Sequence, residues 1–225
     1  MRIANDQVIP LFRLFKLTIT AAQRVNFVAA GKHNLETSIQ NEPGTLAMYA
    51  MHVAPAGLEN RVIEVYRDAD SYDRHANSPQ FKAFRAVAKD AVSQQAVVNL
   101  TPIVLREQAK PLKVSGESHF LQLTEVTLKP GQAAAYQALV TASGSAATMS
   151  QAGRLVIAIG RVVDDPQKWV IFEVYQDKLA YQRYQQTPAN KHDQRASRAL
   201  IQTTQTTVLC PDTLVNQGGL TLVNH

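Results

Sequence analysis

His75, Glu64 and Tyr66 are the side chains of this chain best suited to moving a proton. Histidine titrates near neutral pH, so it can take a proton from a phenol and return it. Glu64 and Tyr66 stand two apart in the run Val62-Ile63-Glu64-Val65-Tyr66. Alternation along a strand puts them on one face with Val62 and puts Ile63 and Val65 on the other. A competing structural reading exists for each. Tyr66 could pack with a tethered hydroxyl, Glu64 could pair with a cation or a backbone amide, and His75 could cap a helix. Other chemistries find no support. No histidine pair has the i, i+4 spacing with a carboxylate that a zinc site shows, so no metal is expected. Gly153 and Gly160 are too far apart for a phosphate loop, and no Gly-x-Ser-x-Gly elbow occurs. The lone cysteine, Cys210, sits between Leu209 and Pro211 and reads as a small hydrophobe.

The elements that must position these residues occur twice. Glu64-Val65-Tyr66-Arg67-Asp68 recurs as Glu173-Val174-Tyr175-Gln176-Asp177, an offset of 109 residues. From 64 to 82 the offset gives 8 identities in 19 positions, where chance would give about one. It also pairs Leu14 with Leu123, Gly44 with Gly153 and Pro102 with Pro211. Each copy is long enough to own a core. Domains are therefore expected over residues 1–109 and 117–214, joined by a polar linker and followed by a polar tail over 215–225.

Each copy reads as strand, helix, strand, strand, helix, strand. Thr20 with Gln23 has the capping-box pattern, and Val25, Val28, Leu35 and Ile39 lie near helical spacing. Pro130 suits a first helical turn in copy two. Glu42-Pro43-Gly44 ends the first helix of copy one. Ser78-Pro79 and Thr187-Pro188 each place a capping hydroxyl before a first-turn proline. Final strands are expected from Gln95 to Leu105 and Thr203 to Leu209, and the tail is expected to fray or to add an edge strand. The βαββαβ order predicts an α+β fold in which each sheet has helices on one face. The two bare sheet faces would then pack together.

Composition narrows the setting. The net charge of +5 comes from scattered residues rather than a basic stripe, which argues against nucleic acid as a partner. No apolar run reaches the ~18 residues of a membrane span, and the N-terminal stretch lacks a signal peptide's apolar core. A cytoplasmic protein is expected.

Glu42-Pro43-Gly44, Glu64-Val65-Tyr66-Arg67-Asp68, Tyr72, His75, Ser78-Pro79 and Phe81-Lys82 together resemble the antibiotic biosynthesis monooxygenase family. Copy two keeps Glu173, Tyr175, Asp177, Tyr181, Thr187-Pro188 and Lys191, but has Tyr184 for His75 and Asn190 for Phe81. The resemblance implies two tandem ferredoxin-like units packed sheet to sheet as an intrachain dimeric α+β barrel. Such a pseudo-dimer could pair again as a homodimer. It implies that Glu64 and Tyr66, with Glu173 and Tyr175, face pockets between sheet and helices. His75, Tyr66 and Glu64 are then the expected catalytic residues. Tyr72, Phe81, Met48, Tyr175, Tyr181 and His192 are the expected substrate contacts. The implied activity is cofactor-independent oxidation of a small phenolic or quinol-type aromatic by dioxygen. A non-catalytic ligand-binding or stress protein of the same fold is the alternative. An isomerase of a small phosphorylated metabolite ranks lower, as does haem degradation. Haem-degrading members resemble one another in a Trp at the Tyr66 position and a His on the next helix. Here Tyr66 and Tyr175 fill the first site, Arg85 and Gln194 the second, and Trp169 lies outside the motif.

Overall fold

The computed structural model describes residues 9–114, 118–143, 149 and 153–224. Copy one runs β1 (Leu11–Ile19), a 3-10 turn (Ala21–Gln23), α1 (Arg24–Asn41), β2 (Thr45–His52), β3 (Glu59–Tyr66), α2 (Ala69–Asn77), α3 (Pro79–Ala91) and β4 (Val92–Glu107). The short β5 (Lys113–Val114) follows. Copy two runs β6 (Phe120–Leu128), α4 (Ala133–Ser143), β7 (Arg154–Val162), β8 (Lys168–Tyr175), α5 (Lys178–Gln186), α6 (Pro188–Arg198) and β9 (Ile201–Asn216), then β10 (Thr221–Val223). The 109-residue offset therefore holds in three dimensions. It extends past the expected domain ends, because β10 stands in the tail where β5 stands in the linker.

All pairings are antiparallel, and the strands close in the order β1-β3-β2-β9-β6-β8-β7-β4, with β4 returning to β1. Closure depends on the two 16-residue strands, which run beyond the bounds expected from sequence. β4 pairs with β1 up to Leu100 and then with β7 from Leu100 to Glu107. β9 pairs with β6 up to Leu209 and then with β2 from Cys210 to Asn216. Each copy's last strand thus finishes in the other copy's sheet. Pro102 and Pro211 stand at these handovers. Proline cannot donate to a ladder and is tolerated where one is interrupted. The register slips just after each, so that Ile103 and Asp212 become bulged residues without a partner. A bulge re-aims a side chain, and both are used below.

Alternation sorts the strand residues as expected. Leu14, Ile63, Val65, Leu123, Phe172 and Val174 fill the barrel, essentially without exposure. Val62, Glu64 and Tyr66 point to the helices. The helices cover the outer faces, while the first halves of β4 and β9 remain largely exposed.

Three local expectations differ from the structure. Thr20 makes no side-chain cap, and the chain enters α1 through the 3-10 turn instead. Val25 is 80% exposed, while Phe27, Gly31, Leu35 and Ser38 form the buried stripe of α1. Gly31 and Ser38 are too small to stand out in a hydrophobic pattern. Pro130 lies in the turn before α4, where Gly131 has φ +77°, rather than in the helix. The proline-led starts of α3 and α6 are as expected: Ser78 Oγ accepts from Phe81 N and Thr187 Oγ1 from Asn190 N. Among the described residues, no helix is long and apolar enough to cross a membrane.

Candidate active site

In copy one a cavity of about 710 Å³ lies between the outer sheet face and α1, α2 and α3. That is ample for a bicyclic aromatic. Phe15 and Val62 wall it from the sheet, Phe27 and Leu35 from α1, and Phe81 and Phe84 from α3. The phenyl rings form a chain, with Phe27 5.5 Å from Phe84 and Phe84 6.4 Å from Phe81. Polar groups enter from several elements, with Lys32, Arg85, Lys89, Gln94 and Gln95 among the lining residues. Arg13 and Glu64 come from adjacent strands, Tyr72 from α2, and Asp212 and Thr213 from the bulged stretch of β9.

Glu64 is the acid–base group that reaches this space. It is 8% exposed, and Tyr66 donates its hydroxyl to Oε2 at 2.9 Å. Burial pushes the Glu64 carboxyl up; His75, Tyr66 and Arg13 pull it back without cancelling the effect. Burial and the neighbouring Glu64 also push the Tyr66 phenol well up, so Tyr66 stays a proton donor. Asp212 is already engaged: Arg24 Nη2 lies 2.9 Å from Oδ1, and His52 Nδ1 lies 3.1 Å from the same oxygen.

His75 stands one layer further back. It has no exposure, and its ring lies 5.4 Å from Tyr66 and 4.6 Å from Phe81. Its Nδ1 is 3.0 Å from Glu42 Oε2. Glu42 also accepts from Thr45 Oγ1 and Gln80 Nε2. Burial raises the Glu42 carboxyl, but its hydrogen bonds to His75 and Thr45 outweigh that and hold it below the usual range. Two motifs set this geometry. Glu42 closes α1 as its C-cap residue, and Gly44 lets α2 approach, since a Cβ there would collide with Ser71. Asp68 then caps α2 by accepting from Ser71 N at 2.7 Å. The Glu-Pro-Gly and the Asp of Glu-Val-Tyr-Arg-Asp are thus joint pieces, and Glu64 and Tyr66 are the pieces that meet the cavity or its wall.

Of the residues expected from sequence, Glu64, Tyr72 and Phe81 line this cavity. Tyr66, His75 and Met48 are buried in the layer behind it. In copy two Tyr181 lines an equivalent cavity of about 690 Å³, and Tyr175 is buried behind it. His192 is instead exposed and lines neither cavity. The helical repeat from Pro188 turns Asn190, Asp193, Gln194 and Ser197 inward, and His192 falls on the outer side. Arg13, Glu42, Asp212 and Arg154 were missed. Comparing the copies position by position would have exposed Arg154, an arginine where copy one has Thr45.

That arginine changes copy two. It is fully buried, with Nη2 3.2 Å from Glu173 Oε1 and its guanidinium 4.0 Å over the Tyr184 ring. Burial opposes its charge, but Glu173 and Tyr175 outweigh that and push its pKa up. Glu173 also accepts from Tyr175 at 2.7 Å and from Gln122 at 2.6 Å. The deep end is apolar too: Trp169 and Tyr136 pack at 5.1 Å where copy one has Asn60 and Phe27. The other bulge supplies Ile103 to this cluster, where copy one receives Asp212. Among the described residues, copy one therefore presents a carboxylate hydrogen-bonded by one phenol, and copy two a carboxylate tied by three partners. Among the described residues, no three His, Cys, Asp or Glu side chains converge as metal ligands.

Comparison with known proteins agrees with this architecture. A candidate monooxygenase from Lactobacillus acidophilus superposes with a TM-score of 0.88 at 26% identity, covering 95% of this chain and 99% of its own. Another from Fusobacterium nucleatum gives 0.88 at 17% identity, covering 97% and 99%, which speaks to fold alone. Curated proteins gave no match. The family model for the antibiotic biosynthesis monooxygenase domain matches twice, over residues 10–87 and 119–196. The chain belongs to the antibiotic biosynthesis monooxygenase family and carries two of its domains in one polypeptide.

Proposed function

We propose that copy one is a cofactor-independent monooxygenase acting on a small phenolic or quinol-type aromatic, and that copy two completes the barrel without turning over. The observation that carries this is Glu64, a carboxylate at the wall of an aromatic-lined cavity whose hydrogen-bond partner is the Tyr66 hydroxyl. Glu64 would take the phenolic proton, leaving an electron-rich phenolate. The phenolate gives one electron to dioxygen, and the radical pair combines at a ring carbon to form a C–O bond. Proton loss from that carbon breaks the O–O bond. One oxygen stays as the quinone carbonyl, and the other leaves as water with the two protons released. No outside reductant is needed. Phe15, Phe27, Phe81 and Phe84 supply an apolar wall on one side of the radical pair. His75 is a positioning residue: it fixes Glu42 and packs on Tyr66, so its field and shape set the Glu64 site.

Oxygen uptake with a panel of naphthols and naphthoquinols tests this. Glu64→Gln should lower kcat by 100-fold or more, the order expected for loss of a general base. Glu173→Gln should leave kcat within about twofold. Equal losses in the two variants would overturn the one-pocket assignment, and unchanged uptake in Glu64→Gln would remove the base.

A further inference from the structure

The two cavities differ in charge. Cavity one is lined by four cations, Arg13, Lys32, Arg85 and Lys89, against the two acids Glu64 and Asp212. Asp212 is paired with Arg24. Cavity two has one lining cation, Arg198, beside Glu173 and Asp193. At the equivalent positions copy two carries Gln122 for Arg13, Thr141 for Lys32 and Gln194 for Arg85. Lys32, Arg85 and Lys89 are exposed on α1 and α3, at the open side. Arg13 is inside. Its guanidinium lies 4.5 Å over the Tyr72 ring and 5.5 Å from Phe15, and Nε donates to Asn99 Oδ1 at 3.3 Å. Its Nη1 is buried without a hydrogen-bond partner among the described residues.

We infer that cavity one selects aromatic molecules bearing a carboxylate, and that Arg13 is the residue that reads it. This rests on the reading above that the cavity takes an aromatic, and it names the class. The guanidinium is held 4.5 Å over the Tyr72 ring, and its planar fork of donors matches a planar carboxylate with two parallel hydrogen bonds. The exposed lysines and Arg85 raise the local concentration of anions. Glu64 does not oppose this strongly, since burial disfavours its charge and Oε2 already accepts from Tyr66.

The test is direct binding, which needs no turnover. 3-Hydroxy-2-naphthoate and 2-naphthol share the hydroxynaphthalene frame and differ in the carboxylate. Titration calorimetry of the full chain should show the naphthoate binding at least tenfold more tightly. Arg13→Gln, which installs the residue of copy two, should cut that preference to about twofold or less. Arg13→Lys should keep more than half of it. Equal affinities in the wild type, or a preference untouched by Arg13→Gln, would overturn the assignment. The two readings fail separately. A carboxylate preference without oxygen uptake on any phenol would remove the monooxygenase. Oxygen uptake on neutral phenols without the preference would remove the role of Arg13.

Discussion

Glu107 shows how one buried carboxyl can govern stability. Tyr49 donates to its Oε1 at 2.7 Å, Asn216 Nδ2 donates to Tyr49 at 2.9 Å, and among the described residues Glu107 Oε2 is buried with no hydrogen-bond partner. Burial raises this carboxyl to about 7. A folded-state pKa above the unfolded one means that the native protein binds the proton more tightly. The resulting stabilisation is complete below the ordinary carboxylate range and is lost as pH rises through about 7. The wild type should therefore lose roughly 2–3 kcal/mol between pH 4.5 and 8 from this group. Glu107→Gln keeps an acceptor for Tyr49 and cannot ionise. Urea unfolding of the variant should show this slope flattened, with a gain at pH 8 and little change at pH 4.5. A slope identical to wild type would assign the pH dependence elsewhere. This network escaped the sequence because Glu107 sits in a polar stretch that reads as linker. Its surroundings come from distant segments: Tyr49 on β2, Asn216 at the end of β9, and Leu220 just before β10, whose carbonyl accepts from Glu107 N.

At the scale of elements, α2 and α5 are set by the same device. Asp68 accepts from Ser71 N and Asp177 accepts from Ala180 N, at 2.7 Å and 2.6 Å. Replacing either with alanine should cost about 1 kcal/mol. The caps belong to separate copies, so the double variant should show a near-additive loss in chemical denaturation. They should differ in binding. Asp68→Ala frees the helix that carries Tyr72 and His75 and should weaken naphthoate binding to cavity one, whereas Asp177→Ala should leave it unchanged. Equal effects on binding would mean that both cavities take ligand. These helices were legible in advance, because caps and first-turn prolines are local signals. The ends of β4 and β9 were not, because the pairing partners of their last seven residues lie in the other copy.

For the whole molecule, residues 109 apart that touch lie near the axis relating the two copies. Lys16 pairs with Glu125 there, and Glu107 meets Asn216 across Tyr49. Two identical copies would set lysine against lysine or glutamate against glutamate. Fusion in one chain removes that constraint, and the sequence has used it. Lys16→Glu and Glu125→Lys should each lower stability by about 1 kcal/mol, and the charge-swapped double variant should recover most of the loss. Thermal unfolding of the four proteins closes this cycle. A double variant no more stable than the singles would make the effect one of packing rather than charge.

The sequence by itself determined the duplication, the α+β order of elements, the capped helices and the strand face that carries Glu64 and Tyr66. Each follows from local spacing, or from a repeat that any single copy would satisfy. Only the tertiary structure decided how many partners each cavity's carboxylate has among the described residues. That depends on Arg154 reaching Glu173 across a sheet. The tertiary structure also decided the bulges that aim Asp212 into one cavity and Ile103 into the other core, and the place of His75 behind Glu64 rather than beside the ligand space. These contacts join residues far apart in the chain, and their energies depend on burial, which no local pattern encodes.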